Sequence, residues 1–160
     1  MHKSQFDKEW PYLISIIISL TAGILSLYII RRNHTLLDTL SLPLPPASMS
    51  FWLFRVIWTI LLILLGYSAA LIYITYTYRR ENALALYAAQ LMFLCLWSVF
   101  FFHLKLYFFS LIIGLFLIFL TLCSGISFYK IQKKAGLVQL IYLLWLCYCC
   151  FLNFDIMLHN

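Results

Sequence analysis

FWLFRVIWTILLILLGYSAALIYITYTY, residues 51–78, carries a single charged side chain, Arg55, and stops at Arg79-Arg80-Glu81. A helix rises about 1.5 Å per residue, so about 20 such residues cross the roughly 30 Å hydrocarbon core of a bilayer. Four other stretches read the same way. The spacing predicts spans at about 11–30, 51–78, 83–102, 106–129 and 136–158. The runs are continuous rather than alternating, which excludes a transmembrane β-barrel. The first connection is long and holds Pro43-Leu44-Pro45-Pro46, which cannot continue a helix. The other connections are short, so consecutive helices are expected to be antiparallel neighbours. The expectation is an all-α integral membrane protein, residues 1–160 forming a single bundle of five transmembrane helices.

Composition supports this from a second direction. Of 160 residues, 65% are hydrophobic and only 10% charged. Soluble domains hold about 25% charged residues, and a chain of this size cannot hide so much apolar surface within itself. Its solvent is therefore the lipid bilayer. A soluble enzyme, a secreted disulfide scaffold and a disordered chain are excluded. The net charge is +6, but the basic residues are scattered between apolar runs, so no nucleic-acid partner is expected.

Lys3, Lys8, Arg79, Arg80, Lys130, Lys133 and Lys134 fall on one side of the predicted bundle; Arg31, Arg32 and Lys105 fall on the other, with Arg55 at the edge of the second span. Positive charge marks the cytoplasmic side. The N-terminus is thus expected inside and the C-terminus outside, a bias that fits a bacterial cytoplasmic membrane. Trp10 and Trp52, at the starts of the first two spans, suit interfacial anchors.

Small residues recur every fourth position at Ser15, Ser19 and Gly23, at Gly66 and Ala70, at Ala85 and Ala89, and at Ser110 and Gly114. Such stripes let helices approach closely, within one chain or between two copies. Catalytic chemistry is poorly represented. Cys95, Cys123, Cys147, Cys149 and Cys150 all fall within spans and read as small hydrophobes. His2, His34, His103 and His159 lie near termini or loops, and the five carboxylates form no pair within a span. No metal spacing, Gly-rich phosphate loop or Ser/His/Asp set is present, so no catalytic residue and no metal ligand is assigned. Intramembrane polar groups are costly and often functional. Arg55 either snorkels to headgroups or faces an acidic ligand group. Gln90 can link helices. Trp145, Cys149 and Asn153 are four apart and share one face, which suits either a planar apolar ligand with a polar edge or helix packing through one hydrogen bond.

The arrangement of these residues resembles the TspO/MBR family, the translocator or tryptophan-rich sensory proteins. The family's W-x-x-x-P-V-W-T-like segment corresponds to Trp52-Leu53-Phe54-Arg55-Val56-Ile57-Trp58-Thr59, with Gly66 downstream. Its third-helix tryptophan and paired phenylalanines correspond to Trp97, Phe101 and Phe102. Its fifth-helix pattern corresponds to Tyr142, Trp145, Cys149 and Leu152-Asn153. The chain departs from the family at Val56, Leu94, Ser98 and Val99, and Phe154 and Leu158 replace the sterol-recognition residues of animal members, which argues against cholesterol binding.

The resemblance implies a pocket inside the bundle for porphyrin, haem-like tetrapyrroles or other planar apolar ligands, with the first loop as its lid. No obligatory cofactor is implied. Carried over by position, Trp58 and Trp145 are the main aromatic walls, and Trp97 and Phe109 line the same cavity. Cys149 stands where a small residue lets ligand approach, Leu152 and Asn153 close the outer end, and Trp52, Phe54 and Arg55 sit at the lid edge. The expected function is a membrane-embedded binding protein acting as sensor, regulator or carrier, with the bilayer, the tetrapyrrole and a second copy of the chain as its partners. The alternatives are light-dependent porphyrin degradation, for which Trp58 and Trp145 are the relevant residues, and a structural membrane subunit without a ligand.

Overall fold

The computed structural model describes residues 5–32 and 51–159. Among the described residues five helices follow one another: α1 (Gln5–Arg32), α2 (Phe51–Ile74), α3 (Arg80–Ser98, prolonged by a π-helical turn, Val99–His103), α4 (Tyr107–Ile131) and α5 (Lys133–His159). Trp52–Ile74, Arg80–His103, Tyr107–Ile131 and Lys133–Leu158 are long and apolar enough to cross a membrane, and α1 adds the apolar stretch Trp10–Ser26. The described residues contain no strand. The proline-bearing loop expected to act as a lid lies outside the described residues.

The end of α2 differs from the sequence expectation. The helix stops at Ile74 rather than Tyr78. Thr75 N–H donates to the Ile72 carbonyl at 3.2 Å and Arg80 N–H to the Thr77 carbonyl at 3.0 Å, so the chain turns here. Thr-Tyr-Thr-Tyr is apolar enough to read as span, yet β-branched and aromatic residues are weak helix formers. Tyr76 and Tyr78 are almost fully exposed, as interfacial rings are. The α3–α4 connection is equally tight: Lys105 takes a left-handed conformation, φ 54°, and only Gln132 separates α4 from α5.

Around the bundle α1 packs on α2, α2 on α5, α5 on α4, α4 on α3, and α3 returns to α1. Without a hydrophobic drive between helices in lipid, close approach and internal hydrogen bonds must hold this ring. Gly66 shows the first device. A Cβ there would stand 2.6 Å from Ile16 Cα and 2.8 Å from the Ser15 carbonyl, so α1 and α2 touch backbone to backbone. The small-residue stripes of the two helices therefore meet each other within the chain. The second device is a set of buried polar links toward the Arg80 end. Ser19 on α1 is hydrogen-bonded to Tyr87 on α3. Gln90 Nε2 on α3 donates to Gln139 Oε1 on α5 at 3.3 Å, and Gln139 Nε2 donates to Ser124 Oγ on α4 at 3.3 Å. The outward positions of the same helices, including Ile17, Ile60, Met92, Phe119 and Leu144, are exposed hydrophobes, as a lipid-facing surface requires.

Candidate functional site

At the opposite end of the bundle, where α2 begins and α5 finishes, the core is built from rings. Phe54 stacks on Trp58 one helical turn along α2, with centroids 5.6 Å apart and planes at 21°. It also contacts Trp145 of α5 at 5.3 Å. Trp58 stacks on Trp97 of α3 at 6.4 Å, and Trp97 on Phe101 at 5.2 Å and 15°. Phe101 meets the edge of Tyr107 on α4 at 5.5 Å, and Trp145 adjoins Tyr148 at 5.5 Å. A continuous train of rings thus crosses four helices. Offset and edge contacts of this kind are each worth about 0.5–1.5 kcal/mol beyond area burial.

Local backbone makes the train continuous. Consecutive residues on an α-helix point about 100° apart, so Phe101 and Phe102 would not ordinarily share a face. The π-helical turn at Val99–His103 inserts extra backbone: Leu104 N–H donates to the Val99 carbonyl at 3.0 Å. Both rings then turn inward, 9% and 8% exposed, and both contact Trp97. Such turns recur at functional sites. On α4, Gly114 leaves the room: a Cβ there would lie 2.8 Å from Cys150 Sγ and 3.3 Å from Trp97 Nε1.

The stack carries unspent polarity. Trp58 Nε1 and Trp145 Nε1 are both buried, and neither has a hydrogen-bond acceptor among the described residues. A buried donor without a partner costs about 1–3 kcal/mol. Two of them flanking the same phenylalanine form a local deficit that an acceptor placed there would relieve. Asn153, in contrast, is fully occupied. With its oxygen facing α4, its carboxamide accepts from Ser110 Oγ at 2.9 Å and from Leu111 N–H at 3.2 Å, and donates to the Tyr107 carbonyl at 3.3 Å. It ties α5 to the first turn of α4.

Of the residues singled out in the sequence, Phe54, Trp58, Trp97 and Trp145 come together in the stack, and Cys149 is buried in the same hydrophobic core. Leu152 is half-buried on α5. Trp52 and Arg55 are exposed at the start of α2. Phe109 does not join the cluster. It is 53% exposed and touches only its neighbour Phe108 among the ring contacts. The inward face of α4 is Ser110, Gly114, Leu117 and Thr121, and Phe109 stands one residue out of phase with it. Phe101, Phe102, Tyr107 and Cys150 were not assigned a site role by the sequence reading. The paired phenylalanines were its signal, but only the π-helical turn brings them in. The five cysteines are free; Cys147 is exposed while Cys149 and Cys150 are buried. Among the described residues no group of His, Cys, Asp or Glu could hold a metal ion.

The TspO/MBR family model matches residues 15–158. Over 112 residues the chain is 35% identical to the tryptophan-rich protein TspO of Chlorobaculum tepidum, covering 68% of this chain and 70% of that protein. The family match runs from within α1 through α5, and with the five-helix bundle and its tryptophan-rich core it makes this an integral membrane protein of the sensor and binding kind, a member of the TspO/MBR family.

Proposed function

We propose that the aromatic core binds a planar tetrapyrrole such as porphyrin or haem, and that the protein senses, regulates or carries this ligand from within the bilayer. The observation that carries the reading is the pair of unpartnered indole N–H groups, Trp58 and Trp145, on either side of Phe54. A flat ligand ring taking the place of the Phe54 ring gains the same stacking, and a carboxylate or carbonyl at its edge accepts from the indoles. Apolar burial and stacking supply most of the affinity, and the donors set orientation. The exposed Arg55, near the start of α2, adds a cation for a propionate. The basic residues Arg79, Arg80, Lys130, Lys133 and Lys134 gather at the other end of the bundle, which favours that end as the cytoplasmic one. The ligand then enters from the non-cytoplasmic side.

The test is tryptophan quenching by protoporphyrin in detergent, in the dark, with Trp145→Ala and Trp58→Ala run in parallel. Saturable quenching at micromolar ligand, about −8 kcal/mol, weakened at least tenfold by Trp145→Ala, is expected. Quenching that never saturates and is equal in all three proteins means partition into the micelle and overturns the reading.

A further inference from the structure

The bundle has a concavity away from the ring stack, between α1 and α3, running from the Arg80 end past the middle of the bundle. Its volume is about 850 Å³. Trp10, Ile18 and Leu25 of α1 form one wall, Ala88 and Met92 of α3 the other, and Tyr73 of α2 stands beside them. Trp10, Ile18, Leu25 and Met92 are all largely exposed, so this is a groove open sideways to lipid rather than an enclosed chamber. From Trp10 to Leu25 is fifteen residues of helix, about 22 Å. One leaflet contributes only about 15 Å of hydrocarbon, so a lipid chain from the near leaflet fits along the groove for its whole length.

The wall offers little to a polar guest. Its Thr21 hydroxyl donates to the Ile18 carbonyl at 2.8 Å, Tyr87 is bonded to Ser19, and Cys95 Sγ donates to the Ala22 carbonyl at 3.7 Å. Polarity is concentrated by Tyr73. The Arg80 guanidinium lies 5.5 Å from the Tyr73 ring centre and 5.3 Å from that of Tyr76, and donates to the Tyr73 carbonyl at 3.3 Å. Two rings and one carbonyl hold the cation in place and leave most of its five N–H donors for an anion. A fixed cation beside a hydrocarbon groove has the two-part chemistry of a phospholipid, and its sign selects an anionic one.

We propose that this groove binds an anionic phospholipid, one acyl chain lying between α1 and α3 and its phosphate against Arg80. This site is separate from the ring stack and does not depend on the tetrapyrrole reading. The experiment is native mass spectrometry of the full chain, released from detergent after addition of dioleoylphosphatidylglycerol, dioleoylphosphatidylcholine or glycerol 3-phosphate. The wild-type protein is expected to retain phosphatidylglycerol about fivefold better than phosphatidylcholine, the ratio equivalent to about 1 kcal/mol for one cation at an anionic headgroup. Glycerol 3-phosphate, which has no chain, should not be retained. Arg80→Gln should remove the preference and Arg80→Lys should keep most of it. Ala88→Phe, which puts a ring into the groove, should lose both lipids. A helical melt in detergent identifies any variant that does not fold, and the remaining arms then decide. The proposal is overturned by equal retention of the two lipids by the wild-type chain, by a preference that survives Arg80→Gln, or by lipid retention undiminished in Ala88→Phe. Glycerol 3-phosphate bound as well as the lipid would show a plain phosphate site, and dimers split by Ala88→Phe without any lipid adduct would show a second copy as the occupant; either result also overturns it.

Discussion

The two halves of the bundle differ in the balance of forces that holds them, although ring contacts such as Tyr12 with Tyr67 and Tyr87 with Phe128 occur toward the Arg80 end too. Toward the Arg80 end, helices are joined by side-chain hydrogen bonds, Ser19 with Tyr87 and Gln90 through Gln139 to Ser124, beside the backbone contact at Gly66. Toward the Phe51 end, they are joined by ring contacts running from Tyr148 to Tyr107, and the Asn153 link to α4 is the chief polar tie. Hydrogen bonds demand one donor–acceptor geometry, whereas ring pairs are favourable over a range of offset and edge-on arrangements with centroids about 4.5–7 Å apart. The difference teaches that the two halves rest on different contacts, side-chain hydrogen bonds in one and ring packing in the other. The two unpartnered indole donors belong to the ring-packed half, while Gln90 Oε1 and the Tyr142 hydroxyl lack partners in the other.

Four substitutions can break or sharpen that division. Gly66→Leu should have the largest effect. Its new side chain meets the α1 backbone, so α1 and α2 must separate. A loss of about 3 kcal/mol is expected, measured by unfolding in mixed detergent. A loss below about 1 kcal/mol would mean that α1 is not tightly seated. Gln139→Leu deletes both links of the three-helix chain. Interhelical hydrogen bonds in membranes average about 0.6 kcal/mol each, so about 1 kcal/mol of stability should go. Protoporphyrin affinity should stay within about twofold, since the expected change there is well under 0.5 kcal/mol.

Trp145→Phe inverts the pattern. A ring remains but the N–H is gone, so affinity for protoporphyrin should fall about fivefold, near the 1 kcal/mol of one hydrogen bond. Stability should hold or improve, because an unpartnered buried donor is removed. If Gln139→Leu weakens binding as much as Trp145→Phe does, the two halves are not separate. The smallest effect is expected of Arg55→Ala. An exposed cation contributes about 0.2–1 kcal/mol, so protoporphyrin should weaken by about twofold while an uncharged planar ligand is unaffected. Equal losses for both ligands would remove Arg55 from the propionate role.

The bundle was legible in the sequence because lipid demands uninterrupted apolar runs, and five such runs leave little choice of architecture. The position of Ile74 as the end of α2 was not, since uncharged Tyr and Thr do not interrupt a candidate span while the turn depends on backbone preference. Gln90 stood out as a polar residue inside a span and does link helices. Its partner Gln139 went unremarked, near the basic start of α5, because no sequence pattern says that the two amides lie level. Trp58, Trp97 and Trp145 could be brought together on resemblance, but their helical phase could not be computed across connections of a few residues. Phe109 shows this best. The tight turn at Lys105 sets the rotation of α4, and that rotation turns Phe109 outward and Ser110 inward.

The ring order also has a consequence for biosynthesis. Because α5 lies between α2 and α4, the first four helices leave the ribosome as an incomplete circle. Until the last segment is inserted, Gln90 and Ser124 lack Gln139, and Trp58 and Phe54 lack Trp145. A chain stalled before α5 therefore leaves the Gln90 amide and the Ser124 hydroxyl without their interhelical partner. Assembly of the ring stack is in this way tied to insertion of α5, which supplies Trp145 and Tyr148.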